Sequence, residues 1–196
     1  MYGFEVDGGF KFYKFRDFDG TQSLADGHLH WFWETMRKAG QIPVIFYDGT
    51  VENFRDFQNL VLREDQHFFF GFKDQQPAGL FWLNGFTSKS CFVHLAIMPG
   101  FHGKGTLLMG RGVLRHLLSV TDVAGGYVFD CIKGLIPVTN PLACRMAERS
   151  GFTKVGILPQ AAYLAADDKS MDAAIFCAVR NKAGAMPETE NFKQGE

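Results

Sequence analysis

The chain has 196 residues, of which 46% are apolar and 21% charged, and its formal net charge is -1. This length suits one domain with a sizeable core, and the small net charge excludes a general attraction to nucleic acid or to an anionic membrane. No apolar run approaches membrane-spanning length, and the acidic N-terminal segment has no signal-peptide pattern. The four cysteines lie apart, without ligand spacing to histidine, so we expect reduced thiols, a cytoplasmic protein and no metal site.

The first half of the chain is rich in phenylalanine, of which the whole chain has 21. Aromatic side chains are usually buried, so we interpret them as core. The alternating segment 10–15 predicts the first strand, and a helix is predicted from a cap at Thr21 or Ser23 as far as Gly40. Segment 42–47 carries a proline and is predicted to be a short edge strand or an extended loop.

Three further elements are predicted before residue 100. A helix begins after Thr50, which would cap it, because apolar residues then recur at helical spacing. Segments 66–73 and 78–86 flank an Asp-Gln-Gln-Pro turn and predict a hairpin of two strands. Segment 90–98 predicts another strand.

The second half has clearer helix boundaries. A helix predicted from Thr106 to Ser119 places its leucines on one face. The next helix has Asn140 as N-cap, Pro141 at its first position and Gly151 as its C-terminal stop.

The remaining segments complete the predicted sheet. The apolar segment 126–132 predicts a central strand, and segments 152–158 and 172–180 predict the last two strands. The polar residues 181–196 lack periodicity, and we expect them to be poorly ordered. The order of elements indicates one α/β domain over residues 1–180, in which an antiparallel meander leads into a mixed sheet with helices packed on it.

The turn His-Gly-Lys-Gly-Thr at residues 102–106 joins a predicted strand to a predicted helix. It is not a P-loop, because Gly105 follows Lys104 where Ser or Thr belongs, and Met98 stands where the first glycine belongs. It is not a dinucleotide turn, because Leu108 stands at the third glycine. A glycine turn of this kind still offers N–H groups to a phosphate at the positive end of a helix dipole. An ordinary strand-to-helix loop is the alternative.

Taken with its surroundings, this turn resembles the signature of the GNAT acyltransferases, the Gcn5-related N-acetyltransferase superfamily. Residues 102–107 are similar to the family's Gln/Arg-x-x-Gly-x-Gly/Ala turn, and residues 95–99 resemble the strand end before it. Segment 140–152, from Asn-Pro to Gly-Phe, is similar to the family's downstream helix and is closest to the RimJ/RimL-like branch. Segment 174–180 resembles the final strand. The resemblance covers residues 67–180, and the earlier residues match in the order of elements.

The resemblance implies a GNAT-like fold in which splayed strands form a CoA cleft. It also implies transfer of an acetyl group to an amine, with acetyl-CoA as the co-substrate. The strand backbone would pair with the pantetheine arm, the amides of the turn would bind the pyrophosphate, and an asparagine would contact the cofactor across the cleft. The implied cofactor-binding residues are Leu95, Ala96, Ile97, His102, Gly103, Lys104, Gly105, Thr106 and Asn140.

The chain departs from the family pattern at functional positions. His102 replaces the usual Gln or Arg of the turn. The two positions that carry a general acid in family members are Ala143 and Ala147 here. Cys144, Tyr163 or a water molecule are the substitutes that the sequence offers.

The general base is also absent from its usual place, which Cys91 occupies. His94 lies on the same strand and is the candidate catalytic residue, because an imidazole ordinarily titrates near neutral pH. Strand parity points it to the face opposite Cys91, and a hydrogen-bonded core histidine is the alternative. Glu64 and Asp65 precede a strand, and we interpret them as solvated.

Two hypotheses about function follow from the sequence. The first is an active N-acetyltransferase whose partners are CoA and a small-molecule or peptide amine. The second is a catalytically impaired GNAT-fold module that serves in binding or in structure. Neither involves nucleic acid or a membrane, and the sequence leaves open whether the chain forms a homodimer. The identity of the acceptor resides in the divergent N-terminal half.

Overall fold

A computed structural model describes residues 2–17 and 20–180 of the chain. The predicted poorly ordered segment 181–196 lies outside these residues. The described residues form eight β-strands, five α-helices and one 3-10 turn. In chain order these are β1 (Gly3–Val6), β2 (Phe10–Lys14), α1 (Asp26–Lys38), α2 (Ile42–Ile45), α3 (Phe54–Leu62), β3 (His67–Lys73), β4 (Gln76–Thr87), β5 (Ser90–Ile97), α4 (Lys104–Ser119), β6 (Cys131–Pro137), α5 (Pro141–Ser150), β7 (Thr153–Leu164), the 3-10 turn (Ala165–Asp167) and β8 (Lys169–Val179).

The strands form one mixed sheet in the order β1-β2-β3-β4-β5-β6-β8-β7. Every neighbouring pair in the described chain is antiparallel except β5 and β6, which are parallel. The first five strands are a meander, and α4 and α5 make the connections that follow β5 and β6. The predicted α/β architecture, with an antiparallel first half and a strand-helix-strand-helix-strand second half, is confirmed.

The parallel strands β5 and β6 separate along their length. Their pairing is confined to residues 90–92 of β5 and 131–133 of β6. β5 continues to Ile97 paired only with β4, and β6 continues to Pro137 paired only with β8. Beyond Phe92 the facing edges of the two strands therefore have no strand partner in the described chain, and their backbone N–H and C=O groups border the space between them.

Phenylalanine fills the core on both faces of the sheet. On the α4 face, the buried rings of Phe69 and Phe81 stack with centroids 4.5 Å apart. On the face covered by α1 and α3, Phe32 and Phe57 meet Phe70 edge to face, with centroids 4.9 and 6.5 Å apart. Aromatic pairs in these geometries add to the energy of burial. The interpretation of the phenylalanines as core is confirmed.

The start of the chain differs from its prediction. A strand, β1, precedes the predicted first strand and pairs with it, so the chain begins one element earlier than expected. The first helix begins at Asp26 after Ala25, and no side chain caps it. Thr21 and Ser23 therefore do not act as its N-cap.

The helix α3 begins later than predicted because a stronger cap lies nearby. Asn53 accepts hydrogen bonds from the N–H groups of Arg55 and Asp56, and the Asp56 carboxylate accepts from the Asn53 N–H. Thr50 instead donates its hydroxyl to Asp48 at 2.7 Å. A reciprocal capping box satisfies two N–H groups where a lone threonine satisfies one.

Segment 42–47 is neither a strand nor an extended loop. Ile42–Ile45 form a single helical turn, and Pro43 lies in its first turn, where no backbone N–H is needed. Phe46 is then buried and stacks on Trp82 with centroids 5.7 Å apart. Packing in the core has overridden the local β propensity of this segment.

The central strand is displaced towards the C-terminus. The prediction gave segment 126–132, but β6 begins at Cys131 and continues to Pro137. Tyr127 makes an isolated bridge, and Phe129 is buried in the core beneath α4. Apolar residues indicate burial, and at Phe129 burial occurs without strand pairing.

The other predictions for residues 66–180 are confirmed. The hairpin β3-β4, the strand β5 and the helix α4 lie within two residues of their predicted bounds, while β7 continues beyond its predicted end at residue 158 and β8 begins before its predicted start at residue 172. The helix α5 has Asn140 as its N-cap, with its Oδ1 accepting from the Ala143 N–H at 3.0 Å. Gly151 ends this helix in the left-handed conformation, with φ 110°.

Two glycines inside α4 permit close packing of this helix. A Cβ on Gly112 would lie 2.4 Å from the Cβ of Val6 in β1, and a Cβ on Gly110 would lie 2.5 Å from the hydroxyl of Ser150 in α5. The helix is continuous through both positions. The glycines therefore bring α4 against the sheet edge and α5 at the expense of helix propensity.

We predict that Gly112→Ala lowers the free energy of unfolding by about 1–3 kcal/mol, because the Val6 Cβ belongs to a paired strand and cannot swing away. This loss outweighs the roughly 1 kcal/mol by which alanine favours a helix over glycine. The control is Gly27→Ala in the first turn of α1, where no described atom lies within 4 Å of the new Cβ. Urea unfolding measures both, and a Gly112→Ala protein as stable as the wild type would contradict the packing account.

Candidate active site

Two cavities meet at β5. The first, with a volume of about 360 Å³, occupies the space between the separated β5 and β6 and is bordered by α4 and α5. Residues 93–97 of β5 and 134–137 of β6 form opposite walls. Thr106 of α4 and Asn140 at the start of α5 lie in the remaining wall. The separation of the two strands is thus a groove with a largely apolar lining.

The helix α4 begins at this groove without a side-chain cap. Its N-cap residue, Gly103, has φ 84° and ψ -124°, a conformation that glycine adopts and other residues avoid. Within the described residues, no side chain accepts from the N–H groups of the first turn, and that turn contains no acidic residue. The N–H groups of Lys104, Gly105 and Thr106 therefore lie at the positive end of the helix dipole without an intrahelical acceptor.

Most of the predicted cofactor-binding residues lie in the wall of the first cavity. These are Leu95, Ala96, Ile97, His102, Thr106 and Asn140. The others, Gly103, Lys104 and Gly105, lie in the chain between the wall residues His102 and Thr106 but do not border the cavity themselves. The structure brings the predicted set together, and its contacts with a cofactor stay a prediction.

Gln41 is a residue of this cavity that the sequence did not single out. Its side-chain Nε2 donates to the Ile97 carbonyl at 2.9 Å, across 56 residues of sequence. Its Oε1 is buried and has no hydrogen-bond partner among residues 2–17 and 20–180. A buried amide oxygen without a donor is uncommon in native proteins.

The second cavity, with a volume of about 460 Å³, lies on the other side of a shared wall. Ile45, Tyr47, Trp82 and His94 border both cavities. The rest of its lining comes from the N-terminal half and is more polar. Its polar side chains are those of Asp48, Thr50, Asp56, Asn59, Arg63, Gln66 and Asn84.

His94 lies in the shared wall. Its ring stacks on Trp82 with centroids 4.6 Å apart, and its Nε2 is 3.2 Å from the Asn84 Oδ1. Burial lowers the pKa of the imidazole to about 4, against a smaller opposite effect of the Asp48 carboxylate. The ring is therefore neutral at neutral pH and has a lone pair that can accept a proton.

Cys91 lies on the opposite face of β5, as strand parity predicts. It is fully buried in the core on the α4 side and borders neither of the two cavities. Burial raises the pKa of its thiol to about 12. Cys91 also lies in the part of β5 that is still paired with β6, whereas His94 lies beyond that pairing, where the cavities begin.

The predicted substitutes for the general acid are not at the groove. Ala143 and Ala147 do line the first cavity but offer no proton. Cys144 is half-buried against the core beneath α5 and borders neither cavity. Tyr163 is exposed on β7 and donates its hydroxyl to Asp168 at 2.7 Å.

Tyr47 is the phenol that the structure brings to the site. It borders both cavities, and burial, with a further contribution from Asp48, raises the pKa of its hydroxyl. No sequence pattern predicts this role, because Tyr47 ends a segment predicted as a strand or loop. Only the turn of α2 and the burial of Phe46 bring the phenol towards β5.

Comparison with known proteins identifies the fold through solved structures, while comparison by sequence finds no relative. No family model matches the chain, and no curated protein matches it in sequence. Solved structures do match. One is the acetyl transferase from Salmonella typhimurium that modifies the N-terminal serine of ribosomal protein L7/L12, with a TM-score of 0.71 and 16% identity over 92% of this chain and 100% of that one.

Two further structures carry ligands. The spermidine N-acetyltransferase from Vibrio cholerae in complex with CoA and spermine has a TM-score of 0.63 and 17% identity over 87% of this chain and 95% of that one. The microcin C7 self-immunity acetyltransferase in complex with acetyl-CoA and AMP has a TM-score of 0.65 and 19% identity, over 89% and 94%. All three are GNAT acetyltransferases. The chain has the GNAT fold. The structural match covers 92% of this chain, so it also includes elements before residue 67, where the sequence motifs of the family were not found.

We predict that His94 makes the GNAT domain less stable in acid. The folded pKa of about 4 lies below the ordinary 6.5, so the unfolded chain binds the extra proton between these values. Stability from this residue is therefore present above pH 6.5 and is lost as the pH falls towards 4, by about 3 kcal/mol in all.

Urea unfolding at pH 7 and pH 4 measures this effect. In His94→Gln, the loss of stability between the two pH values is smaller than in the wild type. The control is His30→Gln, which removes an exposed histidine from α1 and keeps the wild-type loss. An equal loss in all three proteins would contradict the burial of a neutral His94.

Proposed function

We propose that this protein is an N-acetyltransferase that moves an acetyl group from acetyl-CoA to an amine. One observation carries the proposal: β5 and β6 separate after three paired residues, and the uncapped N-terminus of α4 stands at the groove between them. Free strand edges suit the amides of a pantetheine arm, and free helix N–H groups suit a pyrophosphate. The structures of this fold that hold CoA or acetyl-CoA support it.

The pantetheine arm would lie along the free edge of β5, at Leu95, Ala96 and Ile97. Asn140 uses its Oδ1 to cap α5. Its side-chain N–H groups are then available to the cofactor across the groove.

The pyrophosphate would bind the backbone N–H groups of residues 103–106. Gly105 has no Cβ to hinder its approach, and the exposed side chains of His102 and Lys104 can reach it from the rim. Lys104 adds a positive charge to that of the helix dipole. The turn therefore resembles a phosphate cradle built from backbone, in which the side chains assist.

The amine would enter through the second cavity and reach the thioester at the shared wall. It must lose a proton as it attacks, and neutral His94 is the base we propose. The departing thiolate needs a proton, and Tyr47, whose raised pKa keeps the phenol protonated, is the acid we propose. Both residues border both cavities.

The second hypothesis, a module without efficient catalysis, rests on the absent acids at Ala143 and Ala147. Tyr47 brings a proton donor to the same cavity by another route, and no observation favours the module. We therefore retain the enzyme. Its acceptor is a small-molecule or peptide amine, and the proteins of this fold act on a protein N-terminus or on spermidine.

Compartment and assembly stay predictions from the sequence. No helix in the described chain is long and apolar enough to cross a membrane. We keep a cytoplasmic location, and we leave a homodimer open.

We predict that Gly105→Asp weakens acetyl-CoA binding by about tenfold or more, because it puts a carboxylate where the pyrophosphate would lie. The change should not harm the fold. A Cβ there would lie 3.5 Å from the Phe10 ring, which is ordinary contact, and an acid in the first turn of a helix is favourable.

Gly27→Asp is the matched control, since Gly27 is also the second residue of a helix and has no described atom within 4 Å of its Cβ position. Calorimetry with acetyl-CoA should give the wild-type affinity for this control, and both variants should keep the wild-type melting temperature. A wild-type protein that does not bind acetyl-CoA at millimolar concentration would refute the enzyme.

A further inference from the structure

A chain of hydrogen bonds leads from His94 to the protein surface. The His94 Nε2 is 3.2 Å from the Asn84 Oδ1, and the Asn84 Nδ2 donates to the Gln66 Oε1 at 3.3 Å. The Gln66 side chain also helps to hold the pKa of the neighbouring Asp65 carboxyl below its usual range. We call Asp65, Gln66 and Asn84 the amide relay.

The far end of the amide relay is held by an ion pair. Arg63 donates to both oxygens of Asp65, from Nε at 2.9 Å and from Nη2 at 2.7 Å. This bidentate pair, with the Gln66 side chain as a further contribution, holds the pKa of the Asp65 carboxyl below its usual range. Asp65 is therefore ionised at neutral pH and can only accept hydrogen bonds. It is exposed, as the sequence suggested, but it has defined partners.

The bond between the two amides sets the direction of the amide relay. Gln66 accepts from Asn84 with its Oε1, so its N–H groups are left for the Asp65 carboxylate, which can only accept. Asn84, which donates with its Nδ2, presents its Oδ1 to His94. An oxygen acceptor requires a proton on the His94 Nε2.

The other ring nitrogen of His94 is left with its lone pair. In the described part of the chain its Nδ1 makes no hydrogen bond, and the atom keeps some accessible surface. It is therefore open to the cavities that the ring borders. The charged groups around the second cavity are Asp48, Asp56 and Arg63, and Asp48 is the one that acts on the ring.

We propose that the amide relay holds the proton of His94 on Nε2 and leaves Nδ1 to accept the proton of the amine. Its members are positioning residues, since none needs to touch the substrate. This inference rests on the proposed function. To that function the inference adds the atom that acts as the base, Nδ1 of His94, and the residues that select this atom.

The proton balance of the step is complete. The amine nitrogen forms a bond to the acetyl carbon as the bond from that carbon to sulfur breaks. One proton passes from the nitrogen to Nδ1, and the thiolate takes one from the Tyr47 phenol. The imidazolium then returns a proton to the phenolate through water, so that the products are the amide and the CoA thiol.

Nitrogen-15 NMR of the histidine ring in the full chain tests this arrangement at pH 7, because it reports which ring nitrogen carries the proton. We expect wild-type His94 as the single Nε2–H form. Asp65→Asn allows Gln66 to reverse, and Asn84→Leu removes the acceptor, so each should produce a measurable Nδ1–H population. The control Glu64→Gln makes the same change of charge one residue away and should keep the single form.

Asn84→Asp is a further variant, whose side chain has the size of asparagine and still presents an oxygen that can accept from the His94 Nε2. It should retain the Nε2–H form and raise the pKa of His94 in a pH titration, because a carboxylate then faces the ring. A wild-type proton on Nδ1, a single form that survives both Asp65→Asn and Asn84→Leu, or an unchanged pKa in Asn84→Asp would overturn the proposal. None of these results depends on acetyl-CoA, so they are distinct from a failure of cofactor binding.

Discussion

The pairing of β5 with β6 ends after three residues, and the site depends on that limit. Each strand keeps its other neighbour, β4 or β8, so the sheet stays intact while two of its inner edges lose their partner. Backbone groups on such an edge need hydrogen bonds from elsewhere. Gln41 supplies one to Ile97, and a bound cofactor arm is the natural source of the others.

The helices turn this gap into a site with two entrances. Gly112 and Gly110 let α4 lie close to β1 and to α5, which sets its uncapped N-terminus at one end of the groove. The short helix α2 brings Tyr47 to the wall where His94 stacks on Trp82. The cofactor side is therefore built mainly by β5, β6, α4 and α5, and the acceptor side largely by residues 45–66.

Local signals predicted the cofactor side well. The glycine turn at 102–106 and the boundaries of α5 at Asn140 and Gly151 depend on residues next to one another in sequence. The residues that segment 41–47 brings to the site could not be predicted in this way. Gln41 meets Ile97 across 56 residues, and Tyr47 reaches the site through a helical turn where β-branched residues suggested a strand. Segment 126–132 shows the same limit, since Phe129 is buried outside any strand and only Cys131 and Ile132 belong to β6.

Hydrogen exchange measured with and without acetyl-CoA tests the central claim that the gap between β5 and β6 is the cofactor cleft. We predict slower exchange in segments 93–97 and 103–107, with α1 and β7 unchanged, and no such protection in Gly105→Asp. The edge amides of β5 and the first N–H groups of α4 would acquire partners that they lack in the free protein. Protection by acetyl-CoA that spares both segments, or that lies only elsewhere in the chain, would contradict the account.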